Sequence, residues 1–313
     1  MRNCVFKKVK SFSGEPGCLS RKAQTAMAFE LKEEGFKLKD VLNVVGIPEA
    51  TYHYHIQQLK KEDPDKEWKE LICELFEEHE GKYGYRRIYL QLRGKGYKIN
   101  HKKVQRIMRE LGLKCVKFTR RSRKYSSYKG TIGKVAKNRI NRRFHTHVPH
   151  QKLTTDITEF KCSDGFKLYL NPIMDMFNGE IISFGISKRP NLALVMKPLE
   201  DALEIVKDSK FRTTIHSDQG WHYQHNKWVK TLKKNKVFQS MSRKGNCLDN
   251  SPMENFFGLM KQEMYYGEAR CTFEELKNKI ERYIVYYNNK RIKQKLAGMS
   301  PIQYRLHTSQ LAA

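Results

Sequence analysis

The chain has 313 residues, enough for two or more domains at ~100 to 200 residues each, which excludes a single small module. Lys and Arg number 61 against 33 Asp and Glu, a formal net charge of +28, and such an excess calls for a polyanionic partner. Hydrophobic residues at 39% and aromatics at 11% suffice for buried cores and exclude a wholly disordered basic tail.

The apolar residues Leu38, Val41, Leu42 and Val45 keep helical spacing, Gly46-Ile47-Pro48 interrupts it, and residues 49–54 resume it. Residues 1–62 thus contain a candidate helix-turn-helix. Its second helix would bring Thr51 and Tyr52, with His53 and His55, to a DNA major groove. An ordinary helical hairpin has the same spacing. Residues 63–113 form a second helical region. Trp68, Leu71, Ile72, Leu75 and Phe76 make one apolar stripe, and stretches 86–93 and 101–111 follow, the latter behind an Asn100 cap. Arg86, Arg87, Lys102 and Lys103 lie on polar faces of nearly one sign, a pattern that points to phosphate contact.

Residues 114–149 read as a basic linker. Between positions 114 and 143 there are twelve basic residues, Arg120, Arg121, Arg123 and Lys124 among them, and no acidic one. Self-repulsion would extend such a segment, whereas each phosphate it neutralises on DNA releases counterions.

Beyond residue 149 the pattern becomes that of strands. Residues 153–160 read as one strand, Asp164-Gly165 as a hairpin turn, and 166–171 and 180–187 as two further strands. Residues 192–206 read as a helix, 212–216 as a strand ending at Ser217-Asp218, 221–235 as a helix, 237–241 as extended, and 252–264 as a helix. The expected fold is α/β, with a mixed-sheet core over 150–270, preceded by all-α regions and followed by a helical extension over 271–313.

Three acids stand out in that core: Asp156 within a strand, Asp218 at a strand end, and Glu254 in a helix's first turn, with 35 residues between the last two. With 33 acids in the chain, that spacing alone is weak. The segments around them carry more: Thr155-Asp156-Ile157-Thr158, His216-Ser217-Asp218-Gln219-Gly220, and residues 242–257, which contain Gly245-Asn246-Cys247-Leu248-Asp249-Asn250-Ser251-Pro252-Met253-Glu254. Tyr286-Tyr287-Asn288-Asn289 and Ser300-Pro301 follow. In this order they resemble bacterial insertion-sequence transposases with a retroviral-integrase-like, Asp-Asp-(35)-Glu core.

The resemblance implies a ribonuclease-H-like core and a DNA transposase that cleaves element ends and joins the 3′-hydroxyl to target DNA. It also implies that Asp156, Asp218 and Glu254 are catalytic and hold two Mg²⁺ ions, Mn²⁺ being able to substitute. Carboxylates suit that role, because Mg²⁺ is a hard cation that takes oxygen ligands. Two such ions can activate the attacking oxygen and stabilise the leaving one at phosphorus. Lys244, Asn246 and Asn250, in the polar loop before Glu254, and Lys261, two turns after it, are candidates for contact with DNA; turn chemistry alone would also explain the loop residues. The expected partners are element-end and target DNA and further copies of the chain, with no membrane and no small-molecule substrate. The family resemblance also suggests the product of a downstream reading frame. A non-catalytic sequence-specific DNA-binding protein would share the charge and the helix-turn-helix but would need none of the three acids.

Seven scattered cysteines without a Cys-x-x-Cys pair fit reduced thiols rather than a zinc ribbon or a disulfide framework. With no long apolar run and no signal-like N-terminus, the expected location is the bacterial cytoplasm, at the nucleoid.

Overall fold

The computed structural model describes residues 20–60, 63–115, 135–209, 211–243 and 247–311. The chain divides into two compact units, Met1–Glu70 and Leu71–Ala313. In the first, helices α1 (Arg21–Glu33), α2 (Leu38–Val45) and α3 (Glu49–Lys60) gather Ala28, Leu31, Val41, Leu42, Val45 and Tyr52 into one core. Gly46 ends α2 with φ 75°, a left-handed conformation that glycine adopts without a Cβ penalty. Helix α1 was not foreseen, because Ala28 and Leu31 are its only fully buried apolar residues and so few give little periodic signal.

Helix α4 (Lys66–Glu78) comes next in the chain. Helices α5 (Tyr85–Gly94) and α6 (His101–Glu110) follow, the latter capped by Asn100, which accepts from Lys102 N at 2.9 Å. Residues 71–113 belong to the same compact unit as the sheet. Tyr83 is fully buried, and its hydroxyl accepts from Ile292 N at 3.0 Å and donates to Lys290 O at 3.3 Å.

The sheet comprises β1 (Lys152–Thr155), β2 (Thr158–Lys161), β3 (Lys167–Asp175), β4 (Ile181–Ser187), β5 (Thr214–Ser217) and β6 (Phe238–Met241). The strand expected over 153–160 is broken: β1 ends at Thr155, β2 starts at Thr158, and both pair antiparallel with β3. Strand β4 pairs with β3 over Tyr169–Met174, overlapping both of those registers, and so takes its other edge. Strands β5 and β6 extend the sheet in parallel from β1. This is the mixed α/β core expected of an integrase-like, ribonuclease-H-like fold.

Both faces of the sheet are covered. Helix α7 (Leu192–Val206), then α8 (Trp221–Gln224) and α9 (Asn226–Lys234), bury Val195, Leu199, Tyr223 and Trp228 against Leu153, Ile173 and Ile215. Residues 221–235 were expected to form one helix, but His225 is extended and its ring accepts from Lys227 N at 3.1 Å, starting α9 afresh. On the other face α10 (Ser251–Met264) and α11 (Phe273–Asn289) pack Phe256, Met260, Ile280 and Tyr287 against Phe160, Leu168, Leu170 and Met174. A Thr272–Glu275 capping box opens α11, and α12 (Pro301–Leu311) follows. Alternation along β3 and β4 divides their side chains between the two cores. Among the described residues no helix is long and apolar enough to cross a membrane.

Candidate active site

The sheet register positions two of the three acids. Strands β1 and β5 are parallel neighbours with Thr154 opposite His216. Two residues further along each strand come Asp156 and Asp218, both just past the last paired residue. Their carboxyls therefore emerge together at the C-terminal ends of adjacent parallel strands. Asp156 lies in the break between β1 and β2, not within a strand as its sequence suggests.

Each carboxylate is locally held. Asp156 Oδ1 accepts from Ile157 N at 2.8 Å, and Asp218 Oδ1 accepts from Gly220 N at 2.9 Å. A Cβ at residue 220 would lie 3.0 Å from Asp218 Oδ1, so glycine permits that tight turn. Beneath them, fully buried Asn171 places its amide nitrogen 2.8 Å from Thr155 Oγ1, 3.0 Å from Asp156 O and 2.8 Å from the Tyr223 hydroxyl. Burial, Asp156 and Asp218 together push the Tyr223 phenol well above its ordinary range. His222 is pinned by a 2.8 Å contact between Nε2 and Pro190 O. His216 bridges Ser240 and Ser242, and burial pushes its imidazole down to about 4, so it is neutral at pH 7.

Burial raises the Asp156 carboxyl well above the usual carboxylate range, and the neighbouring Asp218 adds to this. Glu254 raises it further, while the Ile157 N–H and the Lys261 ammonium oppose. Burial raises Asp218 as well, against the Gly220 N–H and His222. Two carboxyls drawn from water side by side disfavour double ionisation.

Glu254 is placed differently. It lies exposed in the first turn of α10, whose position is fixed by buried Met253, Phe256, Phe257 and Met260. Desolvation raises its carboxyl too. Among the described residues no three His, Cys, Asp or Glu side chains stand close enough to hold a metal ion together. Glu254 therefore acts on Asp156 from nearby without completing a three-carboxylate group. The donor set still suits a hard divalent cation. It is all oxygen and mutually repelling, and among the described residues neither Asp156 nor Asp218 has an ion-paired Lys or Arg.

Two residues before Glu254 act as latches. Asn250 is buried; its Oδ1 accepts from Thr154 Oγ1 and its Nδ2 donates to Thr155 O at 3.2 Å. Its expected DNA contact is corrected accordingly: it ties the start of α10 to the strand that carries Asp156. Asp249, which the sequence did not single out as functional, is fully buried and accepts from Arg243 Nε at 3.0 Å, Arg142 Nε at 2.9 Å and Asn138 Nδ2 at 3.2 Å. Hydrogen bonds from Arg243 above all, then from Arg142, hold its carboxyl well below the usual range. Arg142 and Asn138 lie more than 100 positions from Asp249, beyond any local sequence signal, whereas Arg243 is six positions away.

The remaining candidates scatter. Tyr52 is 2% exposed within the α1–α3 core, so its reading as a DNA contact is also corrected: it is buried among that core's apolar residues. Thr51 is half-buried. Arg86 and Lys102 are exposed, and Lys103 is half-buried. Arg87 is drawn inward, its guanidinium 5.1 Å from the Tyr83 ring centre and 3.9 Å from Glu263 Oε1. Lys261 lies 5.0 Å from the Phe160 ring centre, and its charge reaches Asp156. Arg120, Arg121, Arg123, Lys124, Lys244 and Asn246 lie outside the described residues.

The integrase core domain family matches residues 146–247, and a second integrase core domain family matches residues 254–308. A helix-turn-helix-like domain family matches residues 62–123, covering α4–α6 rather than α1–α3. InsK of Escherichia coli, the assigned transposase of insertion sequence element IS150, is 42% identical over 273 residues, covering 87% of this chain and 95% of that protein. A transposase-like protein of Haemophilus influenzae is 50% identical over 210 residues, covering 66% and 94%. The transposase InsF of insertion sequence IS3A in Escherichia coli is 28% identical over 282 residues, covering 88% and 96%.

Proposed function

Because this chain belongs to the insertion-sequence transposases with an integrase core, we propose that Asp156, Asp218 and Glu254 are the catalytic carboxylates of its DNA transposition reaction. The observation that carries this assignment is the pairing of Thr154 with His216, which brings Asp156 and Asp218 out together at two parallel strand ends. The three carboxylates would hold two Mg²⁺ ions, with Mn²⁺ as a substitute, and the ions would supply charge neutralisation and Lewis acidity at the phosphoryl group.

In the first step a water oxygen bonds to phosphorus at the element end and the 3′-oxygen leaves as a hydroxyl. In the second that hydroxyl attacks a target phosphodiester, forming one P–O bond and breaking another, so no covalent protein intermediate is needed. The chain's own contribution is placement. The β1–β5 register fixes two carboxylates, Asn250 ties α10 to β1, and Lys261 adds positive charge beside Asp156.

DNA is the partner that suits a net charge of +28. Arg86, Lys102, Lys103, Lys261 and the basic run containing Arg120, Arg121, Arg123 and Lys124 are proposed to contact its backbone, and Lys244 and Asn246 to flank the cleaved bond. Joining two element ends calls for more than one copy of the chain on DNA. In this reading residues 1–62 and 63–113 form two helical DNA-binding regions, 114–149 a linker, 150–270 the catalytic core and 271–313 a helical extension. Incubating the protein with a labelled element end, a target plasmid and Mg²⁺ tests this function, which requires joined products that disappear in Asp156→Asn.

A further inference from the structure

Asn255, next to Glu254 on α10, opens onto a cavity of about 710 Å³ that the chemistry at the carboxylates does not use. That volume falls within the ~300 to 1,000 Å³ of small-molecule sites. Three half-buried aromatic rings, Phe144, Phe177 and Tyr304, line it together with the side chains of Lys293 and the exposed Lys295. Phe177 and Tyr304 are 5.5 Å apart and inclined by 42°, so neither ring covers the other's face. Lys293 is held within the fold: its Nζ donates to Asn178 O at 3.1 Å and to Gly179 O at 3.2 Å, lies 4.6 Å from the Tyr287 ring centre, and burial lowers its pKa to about 7.

Aromatic faces beside the exposed Lys295 ammonium match the two halves of a nucleotide, a flat base and its phosphate. The location narrows the choice of nucleotide. Asn255 follows Glu254 directly, and Ser251 and Leu259 continue the cavity wall one turn to either side. A strand whose phosphodiester lies at the carboxylates therefore passes within a few nucleotides of this opening. An intact duplex keeps its bases stacked and inaccessible, and unstacking costs least where pairing is already weakened, as at a strand end.

We propose that this cavity receives one unstacked base from the DNA strand being cut, within three nucleotides of the cleaved bond, with its ring against Phe177 and Tyr304 and its phosphate toward Lys295. The inference rests on the assignment of Asp156, Asp218 and Glu254 as the site of cleavage. Capturing the base would hold the strand open beside Glu254 and present the phosphodiester to the carboxylates.

The test uses the full-length protein and a duplex of the element end in which 2-aminopurine replaces one nucleotide at a time, up to three positions either side of the cleaved bond. Expected is a several-fold rise in emission at one position on binding, in the wild type and in Asp156→Asn alike, and its loss in Phe177→Ala. Joining by Phe177→Ala should fall at least tenfold and recover when that nucleotide is made abasic, a rescue that a misfolded variant would not show. Duplex-like emission at every position while the wild type cleaves would overturn the cavity assignment and leave the carboxylates standing. Cleavage that survives Asp156→Asn would overturn the carboxylate assignment, and the cavity assignment with it.

Discussion

Asp156 and Asp218 differ from Glu254 in what holds them. The pair is built into the sheet: neighbouring parallel strands fix its separation, and Asn171, Tyr223 and Gly220 pack around it. Glu254 sits exposed on a helix whose start is tied to β1 by Asn250 and to residues 138–142 by Asp249. The difference teaches that the fold builds in two repelling carboxylates at the cost of raised proton affinity. Glu254 instead sits on a helix outside the sheet.

The largest expected effect is on the chemistry. Asp156→Asn or Asp218→Asn removes charge stabilisation worth several kcal/mol, so end cleavage should fall by ~10³-fold or more in a gel assay, with DNA affinity unchanged in a filter-binding assay. Asn250→Ala comes next. It strands Thr154 Oγ1 and the Thr155 carbonyl at a cost of about 1–3 kcal/mol, and denaturant unfolding should register that loss beside a slower rate at intact metal affinity. Loss of stability without loss of rate would show that the latch does not position α10.

A pH series separates the two kinds of carboxylate. Asp156 and Asp218 hold protons more tightly folded than unfolded. In metal-free protein their contribution to stability is therefore complete below the unfolded value of ~3.9 and is lost as pH rises through the raised folded values. Asp156→Asn should flatten that loss and raise Tm at pH 7 by ~2–4 °C for each ~1 kcal/mol of relieved repulsion. Glu254→Gln, at an exposed position, should change stability by no more than about 0.5 kcal/mol. Equal responses from Asp156→Asn and Glu254→Gln in a thermal melt would erase the distinction. The smallest effect lies away from the acids: exposed Arg86→Ala should lower the slope of log affinity against log salt by about one phosphate's share, ~0.9.

Much of the core was legible because buried strands alternate and amphipathic helices repeat; residues 192–206 were read as a helix with the bounds observed. The convergence of Asp156 and Asp218 was legible from the segments around them. The break at Asp156-Ile157 was not, because β-branched residues continue through it and only pairing with β3 reveals the interruption. Tyr52 and Asn250 were read as surface groups because polar atoms suggest solvent, whereas packing and a hydrogen bond to Thr154 bury them. Asp249 escaped notice because its partners Asn138 and Arg142 meet it only in the folded chain.

The most direct measurement is strand joining by purified protein carrying Glu254→Gln, with a labelled element end and Mg²⁺ or Mn²⁺. The account predicts bound DNA and no joined product, as for Asp156→Asn. Joined product at the wild-type rate would contradict it, leaving the strand-end pair to act without the helix that faces it.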